Sequence, residues 1–242
     1  MTSQSYLTPT RFIESEHPDV VAFAREAVGS EGSQRGAATR LFYAVRDSIL
    51  YDPYTCSASP EIFKASTTLE RGRSFCVPKA ILLAAGARAF GIPARLGFAD
   101  VRNHLATRRL LELLRTDLFV FHGFTELYLG GRWIKATPTF NLSLCEKFSV
   151  QPLDFDGTCD AVFHPFDQAG QRHMEYVRDR GSFADLPLEE MSRALHRHYP
   201  HLYDEDGVLI DLAAAGCDFE TEAMRENVSK RRPTARAPGR KA

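Results

Sequence analysis

Residues 75–93 read FCVPKAILLAAGARAFGIP, and this stretch decides the fold. Pro78 suits a first helical turn, Gly91 suits the left-handed position just past a helix end, and Pro93 blocks continuation. Between them Ala80, Ile81, Leu82, Leu83, Ala84, Ala85, Ala87 and Ala89 combine high helix propensity with almost no polar interruption. A helix that is apolar on every side is a buried, central one. It begins at Phe75 or Cys76, so a cysteine stands where unpaired N–H groups and the macrodipole favour an anion. That position is expected to lower the thiol pKa and prepare a nucleophile, with Arg71, Arg73 and Lys79 adding positive potential. The plainer reading is a packed cysteine in a capping turn, as most free cysteines are packed.

Upstream, Asp19 is placed to cap a helix over 20–28 that Gly29 stops. Ser33 is placed to cap a second over 34–50, whose Ala38, Leu41, Phe42, Val45 and Ile49 recur at helical spacing. Residues 51–60 read as loop and 61–72 as weak helix. Downstream, 94–101 reads as a strand and 107–116 as a short helix. Residues 118–129 and 132–137 read as a hairpin about Gly130-Gly131. Residues 142–166 read as irregular or short strands, and 188–198 as a helix ended by Pro200.

The hairpin holds the second piece of chemistry. Alternation along residues 120–129 puts His122, Phe124, Glu126 and Tyr128 on one face and Gly123, Thr125, Leu127 and Leu129 on the other. A thiol nucleophile needs an imidazole to take and return its proton, and a polar group to orient that imidazole. A satisfied core histidine is the competing reading for His122.

These segments resemble the transglutaminase-like proteins. Gly72-Arg73-Ser74-Phe75-Cys76, the alanine-rich helix and Arg88-Ala89-Phe90-Gly91-Ile92-Pro93-Ala94-Arg95 are similar to the first half of that family's core pattern. His122-Gly123-Phe124-Thr125-Glu126-Leu127-Tyr128 and Trp133-Ile134-Lys135-Ala136-Thr137-Pro138-Thr139 are similar to the second half. The match spans about residues 68–141. The resemblance implies a papain-like α+β fold, its central cysteine-bearing helix packed on an antiparallel sheet. It implies Cys76 as nucleophile and His122 as general base and acid. The third position departs: Thr137 stands where the family has Asp. A hydroxyl orients an imidazole but does not stabilise its cationic form as a carboxylate does. Asn141 is the alternative, since an amide serves in papain-like enzymes. Glu126 shares the face of His122 but lies about 13 Å along the strand, too far to orient it. Gly123 and Phe124 replace the family's usual Ala and Trp. Phe75 is expected to wall the substrate groove or simply to pack, and Asp100, Arg102, Asn103 and His104 to face the cleft from the loop after the strand, with a solvated turn as the competing reading.

The implied chemistry is acyl transfer through a thioester on a peptide, protein or small amide, with hydrolysis favoured because 242 residues leave no room for the β-sandwich domains of animal transglutaminases. Two alternatives stand beside it. One is a non-catalytic binding module on the same scaffold. The other is an acyltransferase like the arylamine N-acetyltransferases, against which the Gly91-Ile92-Pro93-Ala94-Arg95 match argues.

Composition is ordinary for a folded chain: 44% hydrophobic, 25% charged, and 30 basic against 31 acidic residues. It excludes collagen, coiled coil and a wholly disordered chain. No apolar run is long enough to span a membrane, and no secretory signal is seen, so a cytoplasmic setting is expected. Residues 1–228 read as a single domain. Residues 229–242 hold six basic residues and read as a disordered, solvated tail rather than a nucleic-acid-binding arm; without it 24 basic residues face 31 acidic ones. Five cysteines with no C-x-x-C pair give no zinc or disulfide framework. The spacing of His164, Asp156, Asp160 and Asp167 matches no metal motif, and no cofactor is expected. Nothing in the sequence fixes the oligomeric state.

Overall fold

Helix α1 (Pro18–Val28) begins two residues before the expected start. Pro18 takes its first turn, and His17 rather than Asp19 is the cap, its Nδ1 accepting the Asp19 N–H at 3.3 Å. Ser33 caps helix α2 (Gln34–Ser48) by accepting the Gly36 N–H at 3.0 Å. α2 stops short of residue 50 because the chain extends at Ile49 into strand β1 (Leu50–Tyr51). Two 3-10 turns, Pro53–Thr55 and Pro60–Phe63, and helix α3 (Ala65–Arg71) follow. Strand β2 (Arg73–Ser74) pairs parallel with β1. The Leu50 N–H donates to the Gly72 carbonyl at 3.0 Å and the Asp52 N–H to the Ser74 carbonyl at 2.9 Å. These bonds fix the chain just before Cys76, the first residue of helix α4 (Cys76–Ala89).

The computed structural model describes residues 3–104, 106–164, 166–167, 170, 172–210, 212 and 219–226. The tail at 229–242 and Cys217 lie outside them.

Every residue of α4 from Val77 to Arg88 is buried. α1, α2 and α3 pack on it from one side, and strands β3 (Ala94–Asn103) and β4 (Leu118–Leu129) from the other. Helix α5 (Arg108–Leu114), capped by Thr107, joins the two strands. β4 turns through Gly130 (φ 58°) and Gly131 (φ 87°) into strand β5 (Arg132–Ala136). Positive φ at both central residues is what a tight type I′ hairpin requires. Strand β6 (Met174–Phe183) completes an antiparallel sheet of order β5-β4-β3-β6. The fold is α+β, a buried cysteine-bearing helix against an antiparallel sheet.

Three elements differ from the sequence reading. Helix α6 (Leu142–Phe148) occupies part of the stretch read as irregular, and β6 and helix α8 (Phe219–Glu226) were not foreseen. β6 is an edge strand, mostly exposed and rich in charge, so it shows no apolar alternation to read. Helix α7 (Leu188–His198) ends before Pro200 as expected.

Two buried cations hold α4 in place. Lys79 Nζ donates to the carbonyls of Arg46 (2.9 Å) and Ile49, covering the C-terminal end of α2. Its charge is therefore spent on α2 rather than on the neighbouring thiol, and burial pulls its pKa down to about 7. Arg88 donates to the Ala94 carbonyl through Nε (3.1 Å) and Nη2 (2.8 Å), and to Thr8 (2.6 Å) and Ala184 (2.5 Å). It thereby clamps the turn Gly91-Ile92-Pro93-Ala94 between α4 and β3.

Gly123 sets the approach of β4 to α4. A Cβ there would stand 3.1 Å from both Cα and Cγ2 of Val77, inside the first turn of the helix. Gly123→Ala is expected to cost about 1–3 kcal/mol, read as a lower urea midpoint, because a helix backbone must yield. An unchanged midpoint would show that the strand moves freely.

Candidate active site

Cys76 and His122 open onto one cavity of about 130 Å³ between α4, β4 and α7. Cys76 heads the helix, and the backbone N–H groups of Cys76, Val77 and Gly123 point at its sulfur. They were expected to favour a thiolate. Burial outweighs them and pushes the thiol up to about 11. His122 is 5% exposed, and burial pulls its imidazole down to about 3. Both groups therefore rest neutral, a thiol and an imidazole lining one cavity, rather than as a preformed ion pair.

The backbone just before His122 is unusual. Phe121 has φ 57°, a left-handed conformation that a bulky side chain seldom adopts. There the β3–β4 register slips, from Ala99 opposite His122 to Val101 opposite Phe119. Asp100 fills the slip: its Oδ1 accepts the Phe121 N–H at 3.1 Å. Arg180 on β6 holds the same carboxylate at 2.8 and 2.7 Å, and its guanidinium carbon lies 4.8 Å from the centre of the Phe121 ring. Asp100 and Arg180 are both almost wholly buried. Asp100 thus braces the bulge beside His122 and does not line the cavity.

Among the described residues, four buried side-chain polar atoms lack a hydrogen-bond partner: His122 Nε2, Thr137 Oγ1, Thr139 Oγ1 and Asp185 Oδ1. Two of these belong to residues that line the cavity beside Cys76, namely His122 and Thr139. Thr137 lies behind Phe140 and Phe163, which line that cavity too. The Tyr176 phenol stands near Thr137 without a hydrogen bond of ordinary geometry. The Phe163 ring lies 5.1 Å from that of His122.

The other candidates are placed as follows. Asn141 is turned away from His122. Its Oδ1 accepts the Tyr51 N–H at 2.9 Å, and its Nδ2 donates to Ser143 (2.7 Å) and Glu220 (2.8 Å), which uses the amide up. Glu126 pairs with Arg95 and accepts from Ser182 at 2.9 Å. Phe75 lines the cavity, edge-on to Phe63 at 5.8 Å. Arg102 pairs with Asp117 at 2.8 Å and His104 faces Glu175 at 3.6 Å, both away from the cavity. No group of three or more His, Cys, Asp or Glu able to hold a metal ion occurs among the described residues.

Residues 21–138 match the family model of the transglutaminase-like superfamily. The chain belongs to this superfamily. Two solved structures are similar to it. One is a provisionally described cysteine protease from Cytophaga hutchinsonii, 20% identical, covering 74% of this chain and 52% of that one, TM-score 0.42. The other is a provisionally described protease from Parabacteroides distasonis, 14% identical, covering 58% of this chain and 27% of that one, TM-score 0.38. The chain spans about half and about a quarter of those two proteins. No curated protein matches it.

In this transglutaminase-like chain much of the motif proves to be structural. Arg88 clamps the turn, while Arg95 pairs with Glu126 and lies 4.2 Å from the centre of the Trp133 ring. Asp100 was noticed in the sequence for another role, whereas Arg180 and Thr139 were missed. Arg180 lies on the unread edge strand, and nothing local marks Thr139.

The neutral His122 has a consequence for stability. Its folded pKa of about 3 lies below the ordinary 6.5, so the unfolded chain takes up the proton first as pH falls. Stability is retained above pH 6.5 and lost towards 3, and buried His173, at about 4, acts the same way. From pH 7 to 5, His122 is expected to account for about 2 kcal/mol of lost stability. His122→Ala should show a smaller drop in urea midpoint over that range; an identical drop would contradict a buried neutral imidazole.

Proposed function

We propose that Cys76 and His122 form the thiol–imidazole pair of an acyl-transfer enzyme that cleaves an amide or related acyl bond, with water as the favoured acceptor. One observation carries the reading: buried polar atoms are almost always partnered, yet two of the four orphans among the described residues belong to His122 and Thr139, which line one cavity with the cysteine that heads the central helix.

In the first half-reaction Cys76 Sγ attacks the carbonyl carbon while its proton passes to the His122 imidazole. The carbon–nitrogen bond breaks, and His122 returns that proton to the departing amine, leaving a thioester on Cys76. Water then attacks the thioester carbon, His122 takes a proton from it, and the S–C bond breaks to regenerate the thiol. Because the pair rests neutral, proton transfer accompanies attack instead of preceding it. Thr137 is the candidate orienting group. Asn141, fully engaged elsewhere, is read as structural. Peptides, proteins and small amides all fit this chemistry, and the free thiols of Cys56, Cys76, Cys145 and Cys159 fit a reducing, cytoplasmic setting.

Among the described residues no carboxylate acts on His122, whose pKa is shifted by burial alone, and this favours a second reading, a binding module that has kept the scaffold. A screen of thiol-reactive amide and peptide probes on wild type and Cys76→Ala separates the two. Labelling that depends on Cys76, accompanied by amide turnover, supports the enzyme; no labelling and no turnover supports the module.

A further inference from the structure

The cavity beside Cys76 constrains what the thiol receives. Among the described residues that line it, none is Asp, Glu, Lys or Arg. Its walls are aromatic and aliphatic: Phe75 and Phe119 on the strand and helix side, Leu110 from α5, Met191 and Leu195 from α7, and Tyr199 beyond it. The Tyr199 hydroxyl is already engaged, donating to the Leu118 carbonyl at 2.7 Å and accepting the Val120 N–H at 2.9 Å, so it offers little to a polar ligand. Cys76, His122 and Thr139 are among its few polar lining residues, with Asn103 and the phenols of Tyr51 and Tyr203. A volume of about 130 Å³ is close to that of an apolar protein cavity, roughly 150 Å³, that takes up benzene.

Resting on the acyl-transfer reading, we propose that the substrate's acyl group is uncharged, apolar and about the size of one aromatic ring, seated in this cavity with its carbonyl at Cys76. A phenylacyl or branched six-carbon acyl group fits the space. A carboxylate-bearing acyl group would bury its charge without a cationic partner, at large cost. An acetyl group would leave most of the cavity empty. A charged side chain such as that of lysine or glutamate meets the same cost in this position.

The test uses the full chain and three 4-nitrophenyl esters: phenylacetate, acetate and the monoester of glutarate. With each, the S–C bond forms, the C–O bond breaks, and 4-nitrophenolate leaves as the thiol proton passes through His122 to solvent. Burst rates, with adducts confirmed by intact mass, are normalised to those of N-acetylcysteine to remove intrinsic ester reactivity. Cys76→Ala serves as control against Cys56, which shares the cavity wall. Normalised phenylacetylation is expected to exceed acetylation about tenfold to a hundredfold, with glutarylation slowest. Leu195→Trp, which fills the cavity, should shrink the phenylacetyl-to-acetyl ratio. Leu195→Ala, which enlarges it, should shift preference to a 4-phenylbutyryl ester should the tryptophan variant not fold. Equal normalised rates for the three esters, all dependent on Cys76, would overturn the specificity while leaving the acyl-transfer reading intact. Ester cleavage identical in Cys76→Ala would overturn both.

Discussion

His122→Ala is expected to slow acylation of Cys76 by about 10²- to 10⁴-fold, the usual worth of general acid–base catalysis. The protein itself should remain folded at neutral pH, because the substitution removes an unpartnered buried nitrogen rather than a bonded one. The pH profile carries more information than the size of the loss. The base form of His122 is present above about pH 3, and the acid form of Cys76 persists up to about 11. Wild-type acylation should therefore be flat from about pH 5 to 9. Iodoacetamide, which needs the thiolate and no general base, should behave differently. Its reaction with Cys76 should rise about tenfold per pH unit across the same range. A preformed thiolate–imidazolium pair would instead give fast alkylation at pH 6 and a falling acid limb near neutrality. Parallel profiles for the two reagents would contradict a neutral resting pair.

Asp100→Ala is expected to destabilise the protein by about 3–5 kcal/mol, because it leaves the Arg180 guanidinium buried without its carboxylate. The Phe121 N–H loses its acceptor in the same step. Left-handed Phe121 is the residue through which this loss reaches His122. Asp100→Asn keeps an acceptor for Phe121 and should recover part of the stability. Equilibrium urea unfolding measures both variants, and acylation rates of the folded fraction show whether the histidine has moved. A cost under about 1 kcal/mol for Asp100→Ala would show that the pair is not holding the bulge. Arg180→Met tests the partner: it removes the cation yet preserves bulk, and it too leaves a buried charge uncompensated.

The central helix was legible because its signals agree. The composition of residues 80–89, the stop at Gly91 and the proline at 93 all specify one buried helix, and Cys76–Ala89 is what forms. The hairpin was legible for the same reason, with alternation and a Gly-Gly turn in register. Boundaries at the first two helices moved by two residues, through Pro18 at one and the extended Ile49 at the other. Strand β6 was not legible: an exposed edge with Glu175, Arg178, Asp179 and Arg180 carries no apolar period, and its pairing with β3 is a tertiary fact. The candidate site divides along the same line. The proposed pair, Cys76 and His122, is read from local position and resemblance. The uses of Asp100, Asn141 and Lys79 depend on partners far along the chain, at Arg180, Tyr51 and Arg46. A helix N-terminus argued for an acidic thiol, but how deeply α4 is buried, which sets the sign of the shift, appears only once the sheet is packed on it.

The measurement that bears most directly on the central claim is to trap the intermediate. The full chain is mixed with an excess of 4-nitrophenyl phenylacetate, quenched in acid within the burst, digested and mapped by mass spectrometry. One hydroxylamine-labile acyl group on Cys76, absent from Cys76→Ala and formed far more slowly in His122→Ala, is the expected result. An acyl group on another residue, or turnover undiminished in Cys76→Ala, would contradict it.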